Sequence, residues 1–493
     1  MLDKSFCAKP NKRVWPTTEI LFWWIQRGSN PPPRRCERRA LPDELWTRAS
    51  NILLSFQNKS KLIMSRLIIN NYFTYNSAMP NKTIAVIDLK AFYSFVECVD
   101  RGLDAWKAPL VVADKDRGKN TIVLSVSPFL KERGIPSRLR IRDLPKGYDY
   151  IYAIPRMERY IEKSAEVVSI MMDFVSKDDI HVYSIDEAFI DVTSYVDYYH
   201  KTPLQIVSMI ISEIKTRTGL QATGGIGDNF FLAKVALDIY AKHERNGIAT
   251  LSQKDIKTKL WPITPLTKIW GIGGRTAVKL NQMGIFTMGD LANANKEYIH
   301  DHFGIIGDQL IEHANGVDES DIHEVYIPKT NSISTAQVLF KDYNKYAAVT
   351  VIREMCDDLS QRLREENKMC ELVSIYIGYS KDTMGGFSRQ MSLLHATDDT
   401  EELFKGLMEI YWKYIKDYPI RRIGINFGKL STSGFKQIDM FGDGKKEKSN
   451  HNLFKTMDKL KDKYGKNILL RASALTENST AIERHNQIGG HRK

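Results

Sequence analysis

Cysteine is scarce in this 493-residue chain: Cys7, Cys36, Cys98, Cys356 and Cys370 are an odd number with no close-paired spacing. That pattern offers neither a disulfide framework nor a Cys-type zinc site. Long hydrophobic runs are missing too, since no apolar stretch reaches the roughly 18 residues that cross a bilayer. There is no internal repeat and no long low-complexity tract. With 43% hydrophobic and 26% charged residues the composition is near the globular average, which argues against wholesale disorder. The expectation is an intracellular, cytoplasmic protein without a membrane partner. Its length exceeds what one core supports and predicts three or four domains.

Charge of one sign is in excess, with 71 Lys and Arg against 59 Asp and Glu, a net of +12. A basic surface gains affinity for nucleic acid by releasing counterions from phosphates. The excess is confined to the ends. Residues 1–78 hold 13 basic and 5 acidic residues, and residues 436–493 hold 13 and 7, which leaves 79–435 slightly acidic at −2. Net charge is therefore a poor warrant for DNA binding, and local features must carry it.

Residues 1–78 also hold four of the eight Trp and six of the 17 Pro, with no lasting apolar periodicity. Phe22 to Leu53 resembles the spurious peptide of a translated stable-RNA gene. The segment reads as non-native upstream translation ahead of Met79 or as a disordered basic arm. Ordered signals start at Thr83: Ile84-Ala85-Val86-Ile87 is a buried-strand run, and Ala91 to Val99 has the apolar stripe of a helix. Leu110-Val111-Val112 and Ile122-Val123-Leu124 are strand candidates. Ser164 to Phe174 reads as a helix and His181 to Val192 as strand, tight bend, strand. Helices are expected over Leu204–Thr216 and Phe230–Lys242, an all-helical stretch over 252–327, and strands with two long amphipathic helices, near 343–366 and 399–416, over 330–435.

Three acids stand in apolar surroundings: Asp88 closing a strand, and Asp186-Glu187 at the bend in Ser184-Ile185-Asp186-Glu187-Ala188-Phe189. A buried isolated carboxylate costs several kcal/mol, so such acids find a partner, a hydrogen bond or a metal. Neighbouring acids point to opposite faces of a regular strand, but at a bend both can converge. Three carboxylates make a hard-oxygen site suited to Mg²⁺ and substrate phosphates, and two such ions support in-line phosphoryl transfer. Taken singly, each acid is better explained as a helix cap or an exposed turn residue.

Three motifs resemble the Y-family (UmuC-like, ImpB/MucB/SamB-type) translesion DNA polymerases, and within them the Gram-positive bacterial group. They are Ile87-Asp88-Leu89-Lys90-Ala91-Phe92-Tyr93-Ser94-Phe95-Val96-Glu97, the Ser184–Phe189 bend, and Ala233-Lys234-Val235-Ala236 followed by Ala241-Lys242. The resemblance covers roughly 80–493. It implies an α+β multidomain right hand: palm and fingers over 79–251, a helical thumb with a helix-hairpin-helix over 252–327, and an αβ little finger over 328–435. A clamp-binding peptide and basic tail follow over 436–493. It implies that Asp88, Asp186, Glu187 and the Leu89 carbonyl hold two Mg²⁺ ions, that Tyr93 beside Phe92 is the steric gate against ribose, and that Lys131 and Lys242 contact the triphosphate. Pro128 and Lys131 depart from the tyrosine and arginine usual in the family, and lysine lacks the bidentate fork of arginine.

Trp270-Gly271-Ile272-Gly273-Gly274-Arg275 looks like the helix-hairpin-helix, whose Gly turn bares N–H groups for phosphate, with Gly271, Gly273 and Arg275 as DNA contacts. Arg421 and Arg422 are candidate backbone contacts. Gln437-Ile438-Asp439-Met440-Phe441 resembles the sliding-clamp pentapeptide; an exposed Met-Phe pair in a polar linker is otherwise unexplained. The expected partners are primed template DNA, dNTPs and the sliding clamp, with the chain monomeric and nucleoid-associated during repair or SOS mutagenesis. A catalytically silent DNA- and clamp-binding regulator is the alternative, and intact Asp88, Asp186, Glu187 and Tyr93 weigh against it. Nuclease or cyclase chemistry also uses paired carboxylates, but the helix-hairpin-helix and clamp motifs favour a polymerase.

Overall fold

The structure, a computed structural model, describes residues 82–324, 331–432 and 444–493. The 1–78 segment and the 437–441 peptide lie outside them. The chain divides into two compact units, Met1–Glu324 and Val325–Lys493.

In the first unit, strands β1 (Ile84–Leu89), β2 (Leu110–Val112), β3 (Ser125–Val126), β4 (Ile151–Ala153), β5 (Ile180–Val182), β6 (Glu187–Asp191), β7 (Ala222–Gly227) and β8 (Ile248–Leu251) form two sheets. The larger has the order β5-β6-β1-β7-β8, with β1 central and antiparallel to both neighbours. Ile84, Ala85, Val86 and Ile87 are all fully buried. The reason is that helical segments cover both faces of the sheet: Gly224 lies against Val207 and Ile211 of the Pro203–Thr218 helix, and Gly225 and Gly227 lie against the Phe230–Val235 helix. A strand buried twice reads as a continuous apolar run rather than an alternation. The smaller sheet, β3-β2-β4, closes over Val111, Val123, Val126, Leu130 and Ile135. There Ile122-Val123-Leu124 is displaced from expectation: Ile122 makes only an isolated bridge to Arg140, and the strand begins at Ser125.

The expected 230–242 helix is one run in three geometries: α over Phe230–Val235, π over Ala236–Tyr240 and 3₁₀ over Ala241–His243. A π turn makes room for one extra residue and is often found at functional sites. The Ser164–Phe174 helix starts earlier, at Met157, and ends at Met171. Residues 256–314 are helical turns and short helices, as expected, and their core of Leu260, Ile269, Ile272, Leu280 and Leu291 is continuous with Phe189 and Phe231 under the large sheet. Trp270 Nε1 donates to Tyr183 Oη at 3.1 Å, and Asn229 Nδ2 to the Gly316 carbonyl at 2.8 Å.

The second unit is a four-stranded antiparallel sheet of β9 (Ser332–Tyr343), β10 (Lys368–Tyr379), β11 (Gly386–Thr397) and β12 (Ile420–Thr432) in the order β11-β10-β12-β9. The Ala347–Glu365 and Thr400–Tyr414 helices cover one face over Val373, Ile375, Ile377, Ile423, Ile425 and Phe427. Residues 444–493 belong to this unit. Gly444–Tyr464 is a helix, and the segment docks by charge: Arg364 pairs with Asp458 at 2.6 Å, Arg471 with Asp357 at 2.7 Å, and Arg484 with Asp358 at 2.7 Å. Two arginines of the tail are thus received by acids of the Ala347–Glu365 helix, and one acid of the tail receives an arginine of that helix.

The close approach of β7 to the Phe230–Val235 helix leaves no space for a side chain at Gly227, where a Cβ would meet the Ala233 nitrogen at 2.3 Å. Gly227→Ala is expected to cost about 3 kcal/mol, whereas Gly274→Ala, with nothing within 4 Å, should leave the thermal midpoint nearly unchanged. Equal midpoints for the two variants would contradict this packing.

Candidate active site

Antiparallel register sets Asp88 directly opposite Glu187 across β1 and β6. The Leu89 N–H donates to the Asp186 carbonyl at 2.8 Å, which ties the bend to the end of the central strand. Within the bend, Tyr183 and Ser184 N–H groups donate to the Glu187 carbonyl at 3.0 and 2.9 Å, and Ser184 Oγ donates to Asp186 Oδ1 at 2.6 Å. A two-strand platform thus delivers three carboxylates to one sheet end.

Their environments differ. The Asp88 carboxyl is pushed up to about 7, first by burial and then by the charges of Asp186 and Glu187, which Lys234 and Lys242 only partly offset. Burial also raises Glu187, but Lys234 Nζ sits 2.7 Å from Glu187 Oε1 and draws it back. Lys234 is 7% exposed and also reaches Asp238 at 3.2 Å. Burial pulls its ammonium down, and the Glu187 and Asp238 charges more than restore it. Among the described residues no three acids, His or Cys close into a finished metal cage. The acids differ in how they are compensated: Glu187 leans on Lys234, and Asp88 is the acid left short of positive charge. A desolvated carboxylate beside a second one, at a sheet end, fits a divalent cation.

Lys131, in the Pro128–Glu132 helix, lies within electrostatic reach of Asp88, Asp186 and Lys242; burial lowers its ammonium, Asp88 pulls it back and Lys242 lowers it again. Two lysines therefore face the acids. Tyr93 is the second residue of the Phe92–Asp100 helix, entered through Ala91 in the left-handed region at φ 47°. Burial, then the Asp186 charge, pushes its phenol up to about 12. Its ring stacks on Tyr160 at 4.7 Å, and Phe92 meets Tyr160 edge-on at 6.4 Å. Tyr160 was not singled out by sequence, and Lys234 and the buried Glu97 were visible only as members of their motifs, with no site role assigned.

At the Gly turn, Gly271 has φ 87°, Ile272 is buried as an anchor, and Gly273 opens the Gly274–Gln282 helix with Gly273, Gly274 and Arg275 exposed. In the second unit Arg422 is exposed, in register with Val338 and Gly378, while Arg421 is partly neutralised by Asp342 at 3.3 Å.

Comparison with solved structures places this fold among the Y-family polymerases: a Y-family DNA polymerase chimera, Dbh-Dpo4(243-245)-Dbh, superposes with a TM-score of 0.58 at 22% identity, covering 71% of this chain and all of the chimera. Residues 87–238 match the impB/mucB/samB family, 254–285 the IMS family HHH motif, and 330–440 the impB/mucB/samB family C-terminal domain. Two Bacillus subtilis (strain 168) proteins each align over 84% of this chain. UvrX, whose name assigns it to UV-damage repair, is 34% identical over 99% of its length, and DNA polymerase IV 2 is 32% identical over its full length. The chain belongs to the impB/mucB/samB family of Y-family DNA polymerases. It is a DNA-directed DNA polymerase of the lesion-bypass type, acting on DNA and dNTPs with a divalent metal. No described helix is long and apolar enough to cross a membrane.

The folded Asp88 carboxyl titrates well above its ordinary value of 3.8. The stability it contributes is therefore present at low pH and is lost as pH rises through about 7, where the buried group must ionise. In chelator, Asp88→Asn is expected to be more stable than wild type by roughly 1–3 kcal/mol at pH 8, with a smaller gain at pH 5, read from melts at both pH values. A gain that does not grow with pH would refute the desolvation account.

Proposed function

We propose that Asp88, Asp186, Glu187 and the Leu89 carbonyl would hold two Mg²⁺ ions, with Glu187 serving the primer side. The observation that carries this reading is the deficit of positive charge at Asp88, directly across from Glu187. When bound, the ions supply the charge that activates the primer 3′-hydroxyl and steadies the leaving pyrophosphate. Lys234, 2.7 Å from Glu187 Oε1, favours its ionised form and orients it from behind. Lys131 and Lys242 neutralise the triphosphate as point charges, without the planar fork an arginine supplies.

Tyr93 lies under the deoxyribose as the steric gate, beside Phe92. The N–H groups of Gly273 and Gly274, with Arg275 nearby, hold a DNA phosphate independently of sequence. The open face of the second sheet presents Ser374, Tyr376, Asn426 and Arg422, a small polar surface for duplex backbone, with Arg421 contributing less because Asp342 shares its charge. Residues 79–251 are read as palm and fingers, 252–327 as thumb, 328–435 as little finger, and 436–493 as the clamp peptide followed by a segment folded onto that domain. The chain works as a cytoplasmic, nucleoid-associated monomer in DNA-damage repair and SOS mutagenesis.

Primer extension tests the centre. Residues 79–493 with primed template, Mg²⁺ and dNTPs should extend the primer, and Asp186→Ala should lose at least ~10³-fold in rate, the scale of losing a metal ligand's contribution to phosphoryl transfer. A folded wild-type protein that extends neither damaged nor undamaged templates would favour the silent-regulator alternative. For the clamp, Met440→Ala with Phe441→Ala should abolish binding to the β sliding clamp while distributive synthesis continues; undiminished clamp affinity ends that assignment.

A further inference from the structure

A gate that rejects ribose by a clash works only if its ring cannot retreat, so what stands behind Tyr93 matters as much as Tyr93 itself. Behind it is Tyr160 of the Met157–Met171 helix, stacked at 4.7 Å with an interplanar angle of 29°. Tyr160 is fully buried, and its hydroxyl donates to Glu97 Oε1 at 2.7 Å. Glu97 is fully buried as well. Arg156 grips both of its oxygens, at 2.9 and 3.0 Å, and Arg101 closes a further ion pair on Oε2. Arg156 continues to Asp100 at 2.8 Å, and Arg159 holds Asp100 through two bonds at 2.9 and 3.0 Å. The chain of contacts runs from the gate ring to the exposed edge of two helices and is satisfied at every step.

Such a network is a poor device for stability alone. A buried carboxylate with its partners gains little over apolar side chains of the same volume. What it does provide is a single orientation: a stacked ring can slide, but a stacked ring whose hydroxyl is bonded to a clamped carboxylate cannot. We propose that Tyr160, locked by Glu97 and Arg156, is a positioning residue that sets the Tyr93 ring and thereby the sugar selectivity of the polymerase. The proposal rests on the reading of Tyr93 as the gate.

The test measures kcat/KM for a dNTP and the matching rNTP on primed template with the full chain, and takes their ratio. Tyr160→Phe keeps the ring and removes only the bond to Glu97; Tyr160→Leu removes the stack; Glu97→Gln weakens the clamp. The dNTP over rNTP ratio should fall about three- to tenfold for Tyr160→Phe and Glu97→Gln, and more than tenfold for Tyr160→Leu, chiefly through a faster rNTP reaction. A residue that only supported the fold would lower both substrates together and leave the ratio alone. If Tyr160→Leu does not fold, the two milder variants decide. Tyr93→Ala is the control: it should collapse the ratio, and adding Tyr160→Phe to it should change the ratio no further, because the two act on one contact. A wild-type ratio in Tyr93→Ala would overturn the gate reading and this proposal with it. A collapsed ratio in Tyr93→Ala with wild-type ratios in all Tyr160 and Glu97 variants would overturn the positioning role alone.

Discussion

The constraint on which this structure turns is a carboxylate at the end of a strand buried on both faces. β1 must be apolar throughout to sit under helices on either side, and Asp88 must follow at once to reach the open end of the sheet. Fitting helices on both faces in turn requires the bare backbone of Gly224, Gly225 and Gly227 in the neighbouring strand. The pairing of β1 with β6 then places Glu187 opposite Asp88, and the Leu89 bond to the Asp186 carbonyl holds the bend in place. Core packing and site chemistry are the same act here, since the interior that stabilises the fold is also what desolvates the reactive acid.

Legibility in the sequence follows from how local each signal is. The Ile84–Ile87 run, the bend before Glu187, the Pro203–Thr218 helix and the two long helices of the second unit were readable because their apolar period and end signals lie within a few residues. The strand near 122–126 was misplaced by a few residues because Ile122-Val123-Leu124 is as apolar as the true strand is short. The π turn at 236–240 had no visible signature. The roles of Lys234 and Tyr160 were beyond reach for a different reason. Their importance lies in partners far along the chain, Glu187 and Glu97, and a single sequence carries no record of that pairing.

Charge teaches the same lesson. The net of +12 is a poor guide to DNA binding, and in the C-terminal segment Arg471 and Arg484 are occupied by Asp357, Glu401 and Asp358 of their own unit. A count of charges measures potential; the ion pairs determine how much of it faces outward.

The contrast among the buried acids is the most informative feature of the first unit. Glu97 has two arginines and a tyrosine hydroxyl, and Glu187 has Lys234; both are compensated where they stand. Asp88, no less constrained by packing, is not, and its carboxyl is held near 7. A divalent cation at this sheet end would supply the positive charge that Asp88 lacks, as Lys234 does for Glu187 and the arginines do for Glu97.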